Sequence, residues 1–516
     1  MKRTDGKGSG IRLSLSSTWP FGLVLMGSVF WLSGCQSAQE TTGFNQLDAM
    51  VTDLKARTKM ASGTAYLVIK DGAVVHEGYF GYADIDGEVL VDEDTVFYIA
   101  STTKAYLALT ILLAEERGEI SQDTTLQQLF PDLGFDAIDA GAVTVRHLLT
   151  HTSGLDNEPL TYAMSYTGLH GPAEHRRKMI AATYASENAA LGDFEYSNIG
   201  YNILAVWLDD TYGRDWRETM DDWLISPLGM ARTTGFISEA KSEEWPLAEP
   251  YSYKVGEGRE PLYLRKTDDT MYSVGLLSTP RDVAKFLLAT MNDGVVDGQR
   301  VLPPAVLKKQ RMQQVAVDGG YFDGYAWGWM TAEHDDIPLR LHTGGFAGAS
   351  ASISYLPEQK IGLVVLHNEN GLKANTLNGI IQRAAYAIAL GESEEQVAQW
   401  VSETADRLVA RSESARTRLA QEAAQRRAAA WALRLPMTDY AGTYAHPLSG
   451  EMVLSIGGEA RFSLAWGLLQ GRGYPGENAD QMVVDLRPGS FEPVNFKVAD
   501  GRVLGLTVNG VYFTRQ

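Results

Sequence analysis

Between Ser393 and Leu433 the chain runs without a proline and is rich in Ala, Glu, Gln and Arg. Its apolar residues Val397, Val401, Ala405, Leu408, Ala415, Leu419 and Ala423 mostly recur three or four apart, the spacing of one helix face. The stretch predicts a long helix or helix pair, ended by Pro436 and serving as a spacer or packing element. It divides the 516-residue chain into a large part before it and a tail after it, as expected of a length too great for one compact domain.

The two parts differ in pattern. Before the divide, residues 46–60 carry a helical stripe, and strand-like runs at 64–70 and 73–79 are joined by Asp71-Gly72, a strong hairpin signal. Residues 101–117 turn helical and stop at Gly118. Helices and loops fill 120–240, strands return at 339–367, and a helix follows at 372–390. Strands at both ends enclosing helices predict a layered α/β or α+β domain closed by its two termini. After the divide come short strands with turns such as Asp500-Gly501 and Asn509-Gly510. Apolar residues make up 45% of the chain, enough for a sizeable core.

The N-terminus has the shape of an export signal. Lys2, Arg3, Lys7 and Arg12 precede an apolar run from Phe21 to Leu32, too short for a comfortable membrane span. The run ends in Leu32-Ser33-Gly34-Cys35, and Cys35 is the only cysteine. This segment resembles a bacterial lipobox, which implies cleavage before Cys35 and acylation of that cysteine; a stray cysteine at the end of a membrane anchor is the plainer alternative. Gln36 in place of aspartate implies, by the same resemblance, the periplasmic face of the outer membrane. A lone cysteine forms no intramolecular disulfide. The expected division is a signal peptide at 1–34, a tether at 35–45, a catalytic domain at 46–392, a helical linker at 393–435 and a β domain at 436–516.

Ser101-Thr102-Thr103-Lys104 opens a helical stretch. Positions three apart share a helix face, so Ser101 and Lys104 point the same way. A serine hydroxyl needs a neighbouring base, and a partly desolvated lysine can lose its proton and act as one. Alone, the pattern equally describes a helix N-cap. Two further segments change its meaning. Glu195-Tyr196-Ser197-Asn198 precedes a helical stretch, and His342-Thr343-Gly344-Gly345 lies between two strand patterns.

The order Ser-x-x-Lys, Tyr-x-Asn, Lys/His-Thr-Gly resembles the serine β-lactamase and penicillin-binding-protein superfamily, in the branch of class C β-lactamases, D,D-peptidases, D-aminopeptidases and esterases. The stretches from His147 to Leu155, Pro227 to Met230 and Gly275 to Asp282 match as well, and the resemblance covers about 46–392. It implies a β-lactamase-like α/β fold, an antiparallel sheet flanked by helices with a helical subdomain. It also implies Ser101 as nucleophile and proton handling shared by Lys104 and Tyr196, with the choice of base open. Asn198 is expected to orient the substrate amide and Lys104. His342, Thr343 and Gly345 are expected to line the substrate, and the N–H groups of Ser101 and Gly345 to form the oxyanion hole. Gly345 is expected to let the strand approach the substrate closely. Neither a cofactor nor a metal enters this reading.

One departure narrows it. Class C β-lactamases usually have lysine where this chain has His342. A histidine is only partly charged near neutral pH, so activity on carboxylate-bearing substrates is expected to fall as His342 deprotonates. His147 and His151, four apart, invite a metal reading, but no third ligand has matching spacing; the alternative for His151 is a hydrogen bond to a loop. His76 and His367 read as packed or surface residues.

Tyr440-Ala441-Gly442-Thr443-Tyr444 looks like the opening strand of the small lipocalin-like barrel that follows this domain in several exported relatives. There it affects assembly or shapes the active-site entrance; a small barrel can also hold an apolar ligand, or simply pack. The expectation for the whole chain is a lipid-anchored, exported serine hydrolase with an acyl-enzyme on Ser101, acting on D-amino-acid-containing peptides as a D,D-carboxypeptidase or D-aminopeptidase. An esterase, a weak β-lactamase, a non-turnover sensor of penicillin or cell-wall ligands, and an inert hydrolase part with function in the β domain are the rivals. Loops at about 156–190 and 235–275 are expected to set the substrate. The net charge of −19 argues against a nucleic-acid partner. The expected partners are the substrate and a membrane reached through the lipid anchor; the oligomeric state is left open.

Overall fold

Asp71-Gly72 makes the turn its composition favours. Strands β1 (Thr64–Lys70) and β2 (Ala73–Phe80) fold back antiparallel across it, with Asp71 at a φ of 49°. The computed structural model describes residues 29–169, 173–252, 268, 275–458, 461–487 and 490–516. The expected signal segment therefore lies, up to residue 28, outside the described residues, as do parts of the two expected substrate loops.

Six more strands join this hairpin: β3 (Val315–Ala316), β4 (Gly324–Tyr325), β5 (Met330–His334), β6 (Ile337–Phe346), β7 (Ala349–Leu356) and β8 (Ile361–His367). Among the described residues the sheet runs β3-β4-β5-β6-β7-β8-β1-β2, antiparallel throughout. β1 pairs with β8 from Thr64↔His367 to Lys70↔Ile361, so the two ends of the domain close it side by side, as the strand pattern implied.

Both faces of the sheet are covered, which is why β7 and β8 are buried along their whole length instead of alternating. On one face α1 (Val29–Arg57) and α6 (Leu372–Leu390) set Leu47, Val51, Leu377 and Ile380 against Tyr66, Val68, Leu363 and Val365. The opposite face bears α2 (Thr103–Glu116), α3 (Glu158–Tyr166), α4 (Ile199–Tyr212) and α5 (Pro280–Met291). There α5 packs Phe286 and Leu287 over Leu67, Ile69, Val364 and Leu366, with α2 and α4 in the same apolar cluster.

Two elements differ from expectation. Residues 35–45, expected as a tether, belong to α1. The stretch holds no proline, and the buried Phe44 and Leu47 carry the helical stripe back into it. The long polar run is one helix, α7 (Glu394–Ala428), and not a pair. Val397, Val401, Ala405 and Leu408 join the apolar cluster of α1 and α6, and the helix ends well before Pro436. Among the described residues no helix is long and apolar enough to cross a membrane.

The tail forms a closed barrel of eight strands: β9 (Gly442–His446), β10 (Gly450–Gly457), β11 (Arg461–Trp466), β12 (Leu469–Pro475), β13 (Gln481–Arg487), β14 (Ser490–Ala499), β15 (Arg502–Val508) and β16 (Val511–Arg515). β9 and β16 close it through Tyr444↔Arg515 and Ala445↔Thr514. Inward residues, among them Met452, Phe462, Trp466, Phe496 and Phe513, fill the interior.

The barrel is docked on the catalytic domain. Tyr162 of α3 stacks on Trp466 at 5.8 Å between ring centroids. Arg487 lies over the rings of Tyr162 and Tyr166 at 4.9 and 5.1 Å and is held from behind by Glu492 at 2.6 Å. The Leu468 N–H donates to the Thr167 carbonyl at 2.8 Å. That approach requires Gly467, whose φ is +56° and where a Cβ would fall 2.2 Å from the Thr167 oxygen. Tyr166 stacks in turn on Phe346 at 4.8 Å, the last residue of β6. The docking contact thus ends on the strand that carries residues 342–345.

Candidate active site

The turn before α2 is held in tension. Phe97–Tyr98 pair with Leu277–Ser278, and the Ile99 N–H donates to the Leu276 carbonyl at 3.0 Å. Ala100 then takes a φ of 48°, an uncommon conformation for a residue with a side chain and typical of functional turns. Residues Ala100–Thr102 form a 3₁₀ turn and α2 begins at Thr103. Ser101 therefore sits just before the helix that carries Lys104, and the two remain on one face. Lys104 Nζ lies 3.1 Å from Ser101 Oγ.

Three segments close around that pair. From the start of α4, Asn198 accepts a hydrogen bond from Lys104 Nζ at 2.6 Å through Oδ1. Tyr196 lies two residues earlier, its ring 5.0 Å from Lys104 Nζ, its hydroxyl beside the Ser101 side chain and the residue 38% exposed at the cleft. From β6, Gly344 presses on the nucleophile turn: a Cβ there would fall 2.4 Å from the Ile99 oxygen and 3.0 Å from the Ser101 nitrogen. Thr343 and Gly345 flank it. The pairing of β6 with β5 ends at Leu341↔Met330, so from His342 onward β6 offers a local strand edge on the side of the cleft.

The close approach to the nucleophile turn belongs to Gly344, a contact separate from the one expected between Gly345 and a substrate. Gly345 meets no atom nearer than 3.6 Å from the position of a Cβ, so the protein itself does not demand a glycine there.

Lys104 is fully buried. The rings of Tyr196, Tyr201 and His151 and the buried His342 surround it. Its hydrogen-bond partners, a serine hydroxyl and an amide oxygen, are neutral. Burial lowers its pKa to about 7, and the negative charge of Glu158 offsets this only in part. The Tyr196 phenol is pushed the other way: burial raises it above the ordinary tyrosine value. Near neutral pH the lysine exchanges its proton readily and the tyrosine keeps its own.

His342 departs from expectation. It is fully buried, with Nδ1 2.8 Å from the Thr343 carbonyl oxygen, which can only accept. Nδ1 therefore carries the proton, and Nε2 accepts from the Tyr325 hydroxyl at 3.0 Å. Burial, and then the charge of Lys104, hold its pKa at about 3. It is a neutral wall residue with both nitrogens occupied, not a half-charged group free to meet a substrate carboxylate.

His151 does bind a loop: its Nδ1 accepts from the Ser197 N–H at 3.2 Å, and its ring lies 4.4 Å from that of Tyr196. His147 instead accepts from the Thr144 N–H at 3.1 Å and caps a short helix. Among the described residues no cluster of His, Cys, Asp or Glu has the form of a metal site. His76 packs against Asp48, and His367 is buried between Thr64 and Asn378. Cys35 lies within α1, its side chain outside the described residues.

Sequence reasoning missed Tyr201 and Tyr325, and named Gly344 only as part of its motif. Tyr201 stands three residues after Asn198, on the same helix face, and that spacing was a usable signal. Tyr325 reaches the site from a distant segment and had none.

Comparison with known proteins agrees with this geometry. Penicillin-binding protein 4 of Amycolatopsis lactamdurans is 28% identical over 316 residues, which span 59% of this chain and 80% of that protein. Two solved structures share the fold. The octameric penicillin-binding protein homologue from Pyrococcus abyssi covers 92% of this chain and all of its own, at 23% identity and a TM-score of 0.58. D-amino acid amidase from Ochrobactrum anthropi SV3, complexed with L-phenylalanine, covers 68% of this chain and all of its own, at 22% identity and a TM-score of 0.57. The Beta-lactamase family profile matches residues 47–387, most of the chain and all of the cleft described above, and the chain belongs to this family of serine hydrolases.

Proposed function

We propose that the protein is an exported hydrolase that cleaves amide bonds next to D-amino acids through an acyl-enzyme on Ser101. The observation that carries this reading is the fully buried Lys104 amine, 3.1 Å from the Ser101 hydroxyl and lowered by burial to a pKa of about 7. In its neutral form Lys104 takes the Ser101 proton as Oγ bonds to the substrate carbonyl carbon. The oxygen that becomes negative is received by the N–H groups of Ser101 and Gly345, which the Gly344 contact draws together. When the C–N bond breaks, the proton passes from the Lys104 ammonium, directly or through the Tyr196 hydroxyl, to the leaving nitrogen. Water then repeats the cycle on the ester and frees Ser101. Asn198 keeps its Oδ1 on Lys104 and turns its amide NH2 toward the substrate carbonyl side.

The neutral His342 supports an amidase or peptidase over an efficient β-lactamase, because no cation stands at that position for a substrate carboxylate. The likeness in fold to a D-amino acid amidase supports D-residues as the substrate class. We further propose that Cys35 carries a lipid anchor to the outer membrane. Incorporation of labelled palmitate into the expressed full chain, lost in Cys35→Ala, tests the anchor.

The test of the enzyme is a fluorophosphonate label and a substrate panel of D- and L-amino-acid amides, cell-wall peptides, simple esters and cephalosporins. Ser101→Ala should lose both label and turnover. Full activity of that variant on the best substrate rules the mechanism out.

A further inference from the structure

Tyr196 stands in a segment with no helix or strand of its own. Residues 194–197 fall in neither, and α4 begins only at Ile199. Backbone groups in such a stretch must find partners elsewhere. The N–H groups of both its neighbours find the same residue, His151. The Glu195 N–H donates to the His151 carbonyl oxygen at 2.8 Å, and the Ser197 N–H donates to His151 Nδ1 at 3.2 Å. The His151 ring lies 4.4 Å from the Tyr196 ring, tilted by 36°. One residue thus holds Tyr196 on both sides and along its ring.

His151 is shaped for this hold. Its φ is 58°, a left-handed conformation uncommon for a residue with a side chain and tolerated best by Asn, Asp and His. In that conformation its carbonyl and its ring reach the same segment. The Thr152 N–H bond to the His147 carbonyl at 3.0 Å and the Gly192 N–H bond to the Thr152 carbonyl at 2.9 Å keep the chain there. The ring is buried, with the rings of Tyr201 and Tyr325 at 5.3 and 4.6 Å. Because Nδ1 accepts, Nε2 carries the proton, and that N–H has no hydrogen-bond partner among the described residues. A buried donor left unpaired is unfavourable, so packing alone is a poor account of a histidine here. The need lies at Nδ1. Burial, and then the charge of Lys104, hold the ring neutral, which keeps Nδ1 an acceptor.

We propose that His151 is the positioning residue for Tyr196, fixing the phenol hydroxyl beside Ser101 so that it can deliver a proton to the leaving group. His151 takes no proton itself. The proposal rests on the acyl-enzyme reading above. As the bond to the leaving group breaks, its electron pair goes to the leaving oxygen or nitrogen. The phenol proton follows it, and the Lys104 ammonium replaces that proton on Tyr196. A strongly basic leaving group needs this proton, and p-nitrophenolate hardly does.

The experiment uses the full chain with His151→Gln, His151→Asn, Tyr196→Phe and the double variant of His151→Gln with Tyr196→Phe. Asn tolerates the positive φ and sets its Oδ1 close to the place of Nδ1, whereas Gln leaves the Ser197 N–H without an acceptor there. The quantity measured is kcat/KM, which reports acylation, on p-nitrophenyl acetate, phenyl acetate and D-phenylalaninamide. It is taken per fluorophosphonate-reactive site, so that misfolded protein does not count. His151→Gln should lose on the order of 100-fold on the amide and less on phenyl acetate, while p-nitrophenyl acetate changes little. His151→Asn should recover most of that loss. Tyr196→Phe should show the same pattern, and the double variant should be no worse than Tyr196→Phe alone. In the unmodified protein, nitrogen-15 shifts of His151 should show a protonated Nε2 and a bare Nδ1 from pH 5 to 8, a readout that does not depend on any variant folding. Equal losses on every substrate that is cleaved, additive losses in the double variant, His151→Asn no better than His151→Gln, or a proton on Nδ1 overturns the proposal. An unmodified protein that takes no fluorophosphonate label, or is labelled yet turns over none of the substrates, refutes the hydrolase reading itself, and the proposal falls with it.

Discussion

Lys104 Nζ stands 3.1 Å from Ser101 Oγ, and its other hydrogen-bond partner is the uncharged Oδ1 of Asn198. The ammonium form is thus poorly supported, and the amine form has a proton donor directly before it. A base must be unprotonated to act, so kcat/KM on an uncharged ester should rise with pH through about 7 and level off above it. Lys104→Met should cost about 100-fold to 10,000-fold in kcat without lowering Tm, because it removes a buried amine. A rising limb displaced to the tyrosine range would transfer the role of base to Tyr196.

His342 and His367 are both fully buried, and burial depresses both to about 3. In the unfolded chain each takes a proton below a pH of about 6.5, while in the folded chain each stays neutral down to its depressed value. Their contribution to stability is complete above that pH and is lost as pH falls toward 3, on the order of 1.4 kcal/mol per pH unit per histidine. Urea unfolding at pH 7 and pH 5 should show a marked fall, and His367→Gln should shrink it by one histidine's share. Nitrogen-15 shifts of His342 should report a neutral ring protonated at Nδ1 at both values. A titration of His342 between pH 5 and 8 would restore the substrate-binding role that its sequence position suggests.

Local spacing explains what was legible in advance. Ser101 and Lys104 share a face whichever helical form the turn takes, and Tyr196 and Asn198 precede a helix start that the sequence marks clearly. The sheet was legible because its buried strands are apolar along their length and its hairpin has an Asp-Gly turn. The electrostatic state of the site was not. The pKa of His342 depends on Tyr325 and on burial beneath a strand, neither of which lies near it in sequence. The helical start of α1 through residues 35–45 was hidden by polar composition, although Phe44 extends the apolar stripe.

Gly344 and Gly345 are adjacent yet differ in what surrounds them. A methyl group at Gly344 would lie 2.4 Å from the Ile99 oxygen and 3.0 Å from the Ser101 nitrogen, both backbone atoms that cannot swing aside. Gly344→Ala should therefore push β6 away from the nucleophile turn, lower stability by about 1–3 kcal/mol and reduce kcat by about 100-fold, the effect expected of a misplaced oxyanion hole. Gly345→Ala meets nothing closer than 3.6 Å and should fold with unchanged Tm, its effect confined to KM for bulky substrates. Thermal unfolding and steady-state kinetics of the two variants decide this, and equal loss of kcat in both would contradict it.

Arg487 couples the barrel to the cleft through a stack of rings. It lies over Tyr162 and Tyr166, and Tyr166 stacks on Phe346 next to Gly345. Removing the guanidinium leaves Glu492 without its partner at 2.6 Å and loosens the hold on α3. Arg487→Met keeps much of the side-chain volume but loses the cation–π contacts and the ion pair. Because Arg487 is partly exposed, the loss should be modest, about 1–2 kcal/mol. That loss should appear as faster proteolysis of the segment between α7 and β9. The kinetic consequence should fall on KM more than on kcat, since Ser101 and Lys104 do not touch Arg487. A variant with unchanged proteolysis and unchanged KM would show that the barrel merely rests against α3, and a collapse of kcat alone would place Arg487 closer to the chemistry than its contacts allow.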